Sequence, residues 1–172
     1  KRSVWQIVNT LVPYVAIWIL MVKLLPVSFW WTLLLAPIGG GLLIRTFILF
    51  HDCGHGSFFR QRWANELVGY VTGIITLTPP HAWWREHAIH HATAGDLDRR
   101  DGGDIWTLTV AEYMAASRWK RLGYRFFRFP AVMFILGPIL SFVVRNRLVR
   151  PTSGPREARS VHLANLGIAL AI

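Results

Sequence analysis

The chain has 172 residues, 53% of them hydrophobic and nine of them tryptophan, and its mean hydropathy of +0.35 is too high for an ordinary soluble domain. The single cysteine excludes an internal disulfide framework. A net charge of +10 would suit nucleic acid, but the arginines border apolar segments instead of forming a separate basic domain. That is the pattern of cytoplasmic loops against anionic headgroups, so the expected partner is the lipid bilayer and not nucleic acid.

Residues 7–25 form the first apolar segment, about 28 Å of helix and enough to cross the hydrocarbon core. No small-residue cleavage site follows, which separates it from a signal peptide, and neighbouring helices can absorb a kink at Pro13. A second apolar segment, residues 27–50, follows after Pro26, so the pair reads as a transmembrane helical hairpin. Lys1 and Arg2 precede it, Lys23 stands near its turn, and arginines crowd after His51. The positive-inside rule therefore places the N-terminus and the following stretch on the cytoplasmic side. Arg45 is expected to snorkel to that surface.

Two histidine clusters come next, H-D-C-G-H at residues 51–55 and W-W-R-E-H-A-I-H-H at residues 83–91. On a helix His51 and His55 share a face, with Cβ atoms roughly 5–6 Å apart, and so do His87, His90 and His91. One H-x-x-x-H alone is readily a coincidence at a polar helix end, but two clusters so close together read as a metal site. Imidazole suits iron, zinc, copper or nickel, and no second cysteine is present to build a thiolate site. A bis-histidine haem between spans would want its ligands deeper in the membrane.

Residues 66–78 link the clusters. They make about 20 Å of helix, too short to cross, and are expected to form a re-entrant or interfacial helix in which Gly69 and Gly73 permit close approach. Pro79 and Pro80 then start the helix carrying the second cluster, and Gly95 stops it. Asp96, Asp98, Asp101 and Asp104, mixed with Arg99 and Arg100, read as a solvated, self-paired loop or as carboxylates orienting liganding histidines. Asp52, inside the first cluster, is the stronger candidate for that orienting role.

Residues 106–128 read as one amphipathic, basic stretch suited to the headgroup layer, with docking of an electron donor as the weaker alternative. Residues 130–144, broken by Gly137 and Pro138, are marginal as a span. Arginines on both sides argue for cytoplasmic ends, so this run is open between a span and a re-entrant segment. Residues 151–155 read as a loop. A last apolar run begins near Val161 and continues to Ile172. A chain that opens without methionine and is still apolar at its last residue is expected to be a fragment, truncated at both ends, of one membrane-embedded domain. The fold class expected is all-α and polytopic, with the histidine-bearing helices at the cytoplasmic face.

At H-D-C-G-H-G-S-F (residues 51–58), N-E-L-V-G (65–69), the frame of Pro79, Trp83, His87, His90 and His91, and A-G-D-L-D-R-R (94–100), the chain resembles the membrane fatty-acid desaturases, in particular bacterial relatives of the delta-12 (omega-6) acyl desaturases. The resemblance covers roughly residues 50–144 and reaches the flanks only through hydropathy. It implies an enzyme that uses dioxygen and two electrons to insert a cis double bond into an acyl chain. It also implies two iron ions in a non-haem di-iron centre, with His51, His55, His87, His90 and His91 among the ligands. The substrate would be an acyl-lipid, acyl-CoA or acyl carrier, and the external electron donor ferredoxin-like or a b-type cytochrome. The location implied is a bacterial cytoplasmic membrane, with the histidines on the cytoplasmic side.

The family's third histidine box has no counterpart here and would lie beyond Ile172. His81 and His162 fall outside the boxes and are expected to be bystanders. His81 and Pro80 stand where relatives often carry an aromatic residue and a tyrosine, which bears on pocket shape. A related histidine-box hydroxylase or ketolase, and a non-enzymatic metal-binding membrane protein, are the alternatives.

Overall fold

A computed structural model describes residues 1–100 and 105–171; Asp101 and Asp104 of the acidic loop fall outside them. Among the described residues every regular element is helical. Two compact units are present, Lys1–Pro80 with Leu163–Ile172, and His81–His162.

In the first unit, α1 (Arg2–Leu24) and α2 (Phe29–Gly54) are long and apolar enough to cross a membrane. Pro13 and Pro37 are both held inside their helices. The chain reverses over residues 25–28, where the N–H groups of Val27 and Ser28 both reach the Leu24 carbonyl at 3.0 Å and the Ser28 hydroxyl caps α2 by accepting from the Trp30 N–H. The pairing is antiparallel. Thr32 donates to the Met21 carbonyl, Gly39 lies against Met21 and Ile17, and Arg45 donates to Asn9 Oδ1 at 2.8 Å. Ser3 donates to the Phe58 carbonyl at 2.6 Å, which brings the start of α1 to the end of α2.

This is the expected hairpin. The antiparallel register sets Arg45 opposite Asn9, and α2 runs beyond the apolar segment through the first histidine cluster to Gly54.

The linking helix α3 (Arg62–Ile75) starts and ends a few residues earlier than residues 66–78. Its 14 residues span about 21 Å, short of a crossing. Buried Asn65 explains the early start. Its Oδ1 accepts the Phe59 N–H at 2.9 Å, and its amide donates to the carbonyls of Phe59 at 2.8 Å and Gln61 at 3.3 Å. The loop after α2 is thereby folded onto the first turn of α3.

At the other end, Gly73 meets the close approach expected of it. A Cβ there would stand 2.6 Å from the Thr78 carbonyl oxygen and 3.1 Å from Phe50. The Gly73 carbonyl accepts the Thr78 N–H at 2.7 Å as the chain turns back through Leu77 at φ 55°. Buried Thr72 and Thr76 satisfy their hydroxyls on the carbonyls of Val68 and Thr72, which lets polar side chains sit among apolar ones.

In the second unit, α4 (Pro80–Thr93) begins at the double proline and ends before Gly95 at φ 83°, as expected. Residues 106–128 are two helices, not one: α5 (Val110–Ala115) and α6 (Arg118–Phe127). Thr109 and Glu112 form a reciprocal cap on α5. Ala116 turns extended and Ser117 caps α6 by accepting from the Lys120 N–H. Amphipathic periodicity runs across that break, which hides it in the sequence.

Residues 132–147 are helical but wide. Val132–Leu136 and Ile139–Val144 wind as π-helix, with the Gly137 N–H reaching back to the Val132 carbonyl, and Pro138 offers no N–H between them. Together with α6 this segment is apolar enough for a third crossing, but the pair is bent by 61°. Helix α7 (Pro155–Ala171) starts at Pro155, earlier than the apolar run near Val161, with proline in the first turn. The part of α7 from Leu163 onward belongs to the first unit, where Gly167 packs on Ile74 of α3.

Candidate metal centre

The first pair is built by the last turn of α2. His51 lies in that turn and His55 caps it. The His55 N–H bonds the His51 carbonyl, and Gly56, at φ 67°, turns the chain away in a conformation that suits glycine. Ser57 puts both its N–H (3.2 Å) and its hydroxyl (3.1 Å) on the Asp52 carbonyl. The motif thus closes its own helix end through backbone groups and the Ser57 hydroxyl.

On the ring of His51, Nδ1 lies 2.9 Å from Asp52 Oδ1. A carboxylate accepts, so Nδ1 carries the hydrogen, which in a neutral imidazole leaves the lone pair on Nε2. That Nε2 is 3.2 Å from His55 Nε2.

The second pair stands on α4. His87 Nε2 and His91 Nε2 are 3.0 Å apart, and the ring of Trp83 stacks on that of His87 with centroids 4.4 Å apart and planes at 20°. His90 points elsewhere. Its ring centroid is 6.1 Å from that of His87 and 5.9 Å from that of His91, and it lines a cavity of about 470 Å³ with Asp96, Arg100 and Arg128. His81, in the first turn of α4, meets Trp84 edge to face at 5.2 Å. His162 is an exposed residue within α7.

Contacts well away in sequence hold α4 in place. Glu86 pairs with Arg150 and, at 3.8 Å, with Arg145. Arg85 donates to the Thr152 carbonyl at 2.8 Å and approaches Glu157 at 4.0 Å. The Ala82 N–H donates to Ser160 Oγ at 3.2 Å. In the acidic loop, Asp96 is paired with Arg99 at 2.7 Å, the self-paired arrangement, and Arg99 holds its carboxyl below the ordinary range. Arg100 leaves that loop for Glu112, with two contacts of 2.9 Å.

The nitrogen separations test the fit to a metal. With imidazole–metal bonds of about 2.1 Å, two ligands at right angles place their nitrogens about 3.0 Å apart, and tetrahedral ligands about 3.4 Å. The observed 3.2 and 3.0 Å fit neighbouring ligands on one ion, and equally an N–H···N hydrogen bond in the absence of metal. In each pair one residue is half-buried and the other exposed.

A helical membrane protein with two imidazole pairs set at ligand spacing is the class these features define. The family is then fixed by sequence. The profile of the family "Fatty acid desaturase" matches residues 3–172, and the chain belongs to that family. It is 47% identical to "Fatty acid desaturase" of Bacillus subtilis over 98% of its own length and 48% of that protein's. To "sn-1 oleoyl-lipid 12-desaturase" of a Synechocystis species it is 34% identical, over 62% of this chain and 28% of the relative. To "sn-1 acyl-lipid omega-3 desaturase (ferredoxin)" of a Nostoc species it is 31% identical, over 49% and 23%. The chain spans about half the length of the Bacillus relative and less of the others. No solved structure matches.

Proposed function

We propose that this chain forms the part of a membrane fatty-acid desaturase that carries its first two histidine boxes, and that His51, His55, His87, His90 and His91 are ligands to two irons. The observation that carries this reading is the pairing of Nε2 atoms at 3.2 and 3.0 Å on motifs belonging to the desaturase family. His90, which lines its own cavity, is assigned to a different ion from His87 and His91. When bound, the irons supply the redox chemistry by which two hydrogens leave adjacent acyl methylenes as dioxygen takes two electrons and two protons and ends as two waters.

The chain's own residues prepare the ligands. Asp52 holds the hydrogen of His51 on Nδ1 and keeps Nε2 available, the usual service of a carboxylate behind a metal-bound imidazole. Trp83 fixes the plane of His87 by stacking. The ion pairs of Arg85 and Glu86 set the rotation of α4 about its axis and with it the direction of three histidines. With the first box at the end of α2 that meets the N-terminus, the arginine distribution supports a cytoplasmic position for this end, where a soluble donor could reach it. The names of relatives point to an acyl chain held in a membrane lipid as substrate, and to a ferredoxin-type donor.

The test uses the full-length protein in a host without desaturases. Alanine at any of the five histidines should abolish unsaturated product and lower bound iron, whereas His81→Ala and His162→Ala should retain most of both. Full iron and product in the His51→Ala and His87→Ala proteins would end the proposal.

A further inference from the structure

Helix α6 carries two exposed rows side by side. Trp119, Leu122 and Phe126, spaced i, i+3 and i+7, are 81%, 57% and 64% exposed. Arg118, Arg121 and Arg125 repeat the same spacing one position earlier, so the basic row runs along the edge of the apolar one. The remaining side of the helix is committed to its own unit: Tyr124 and Phe127 pack on Trp106, with centroids 5.3 and 5.8 Å away. No acidic residue occurs in α6 to neutralise the guanidinium groups. Arg125 is already set in place, donating to Tyr113 Oη at 2.6 Å with its guanidinium 5.8 Å from the Tyr113 ring. Arg118, Trp119, Arg121, Leu122 and Arg125 line a groove of about 440 Å³.

We propose that α6 is an anionic-lipid site at the membrane surface: the Arg118, Arg121 and Arg125 row holds the headgroup phosphate, and Trp119, Leu122 and Phe126 enter the acyl boundary. Guanidinium groups match phosphate oxygens in a fixed fork geometry, and a tryptophan beside them belongs at the depth where headgroup meets hydrocarbon. The following segment, residues 132–147, is apolar, and α6 is bent 61° from it. If that segment runs along the membrane normal, α6 lies nearer the membrane plane than the normal, which suits a helix in the headgroup layer. An acidic soluble protein would match the arginines but leave three large apolar side chains uncovered. A lipid supplies both halves of the match. This inference rests on α6 and its own unit and is independent of the histidine ligands.

The full-length protein is reconstituted with mixed phosphatidylglycerol and phosphatidylcholine, extracted, and its retained lipids are counted by native mass spectrometry. Phosphatidylglycerol should be enriched on the unaltered protein, and the double variant R118Q/R121Q should reduce that enrichment on the order of tenfold. R118K/R121K keeps the charge but not the fork and should retain part of it, more than R118Q/R121Q, which separates lost attraction from lost folding. A cysteine replacing Leu122 and carrying an environment-sensitive fluorophore should emit as in an apolar medium in the same bilayers. Unchanged phosphatidylglycerol in R118Q/R121Q would overturn the proposal. So would a water-like spectrum at position 122, or an R118Q/R121Q protein that loses only its affinity for an acidic ferredoxin.

Discussion

The two histidine clusters are alike in sequence but differently supported. The first is shaped by contacts one to nine residues apart: His51 to Asp52, His55 to His51, Ser57 to Asp52 and Asn65 to the loop before it. The second sits on a plain helix whose placement comes from partners far along the chain, 67 residues away for Arg85 and Thr152 and 78 for Ala82 and Ser160. A site built locally is fixed as soon as its own helix end forms. One held by distant ion pairs is only as well aimed as the segment that supplies them, here residues 145–160.

The sharpest break in the first region is Asn65→Leu. Leucine keeps the branching at Cγ, but it strips the part-buried Phe59 N–H of its acceptor and two carbonyls of their donor. We expect a loss of about 2 kcal/mol, from a partly buried backbone N–H left unsatisfied and several bonds removed. Thermal unfolding of the detergent-solubilised protein measures it, and a melting temperature within a degree or so of the unaltered protein would show that Asn65 is not the organiser of that loop.

Asp52→Asn is aimed at the ligand itself. The amide can still accept from His51 Nδ1–H but no longer carries a charge, and loss of such a carboxylate lowers metal affinity by about tenfold or more. Iron retained against a chelator titration is the readout. In the second region the corresponding change is Glu86→Gln, which keeps shape and removes the charge facing Arg150 and Arg145. These groups are partly exposed, so solvent screening limits the effect to about 1 kcal/mol. A double-mutant cycle with Arg150→Gln should show coupling, and strict additivity would mean that this ion pair does not hold α4.

The same contrast explains what could be read from the sequence. The hairpin was legible because apolar length, Pro26 and the charges at its ends are local properties, and so were the start of α4 at Pro80 and its stop before Gly95. Both histidine pairs were legible from i,i+4 spacing alone. The pairing of Arg45 with Asn9 was not, because it depends on the register of two helices. Nor were the Glu86 and Arg85 contacts, which need residues 145–157 brought to α4. The break between α5 and α6 was missed for a different reason. Ala116 and Ser117 carry no strong turn signal, and the amphipathic pattern continues through them, so only the caps at Thr109 and Ser117 reveal it. Divergence of His90 from its neighbours was also hidden, since i, i+3 and i+4 fall on one broad face.

The smallest expected effect tests whether local support of the kind seen at the first cluster also operates in the second unit. Glu112 accepts from Arg100 through both oxygens, and from the N–H and hydroxyl of Thr109 at 2.6 and 2.9 Å. Arg100 first, and then Thr109, bring its carboxyl down to about 2, and the same contact raises the guanidinium of Arg100. A depressed carboxyl stabilises the fold fully above its ordinary value of 4.5, and the stabilisation fades as pH falls toward 2 and Glu112 is protonated. The groups face solvent, so global stability should hardly respond. The response belongs to the cap of α5. After correction for intrinsic rates, hydrogen exchange of the amides of residues 110–115 should be faster at about pH 3 than at about pH 6. Glu112→Gln should show the faster exchange at both, since it removes the charge without waiting for acid. If the unaltered protein and the Gln variant protect α5 equally at the higher pH, the helix is held by its packing and not by its cap.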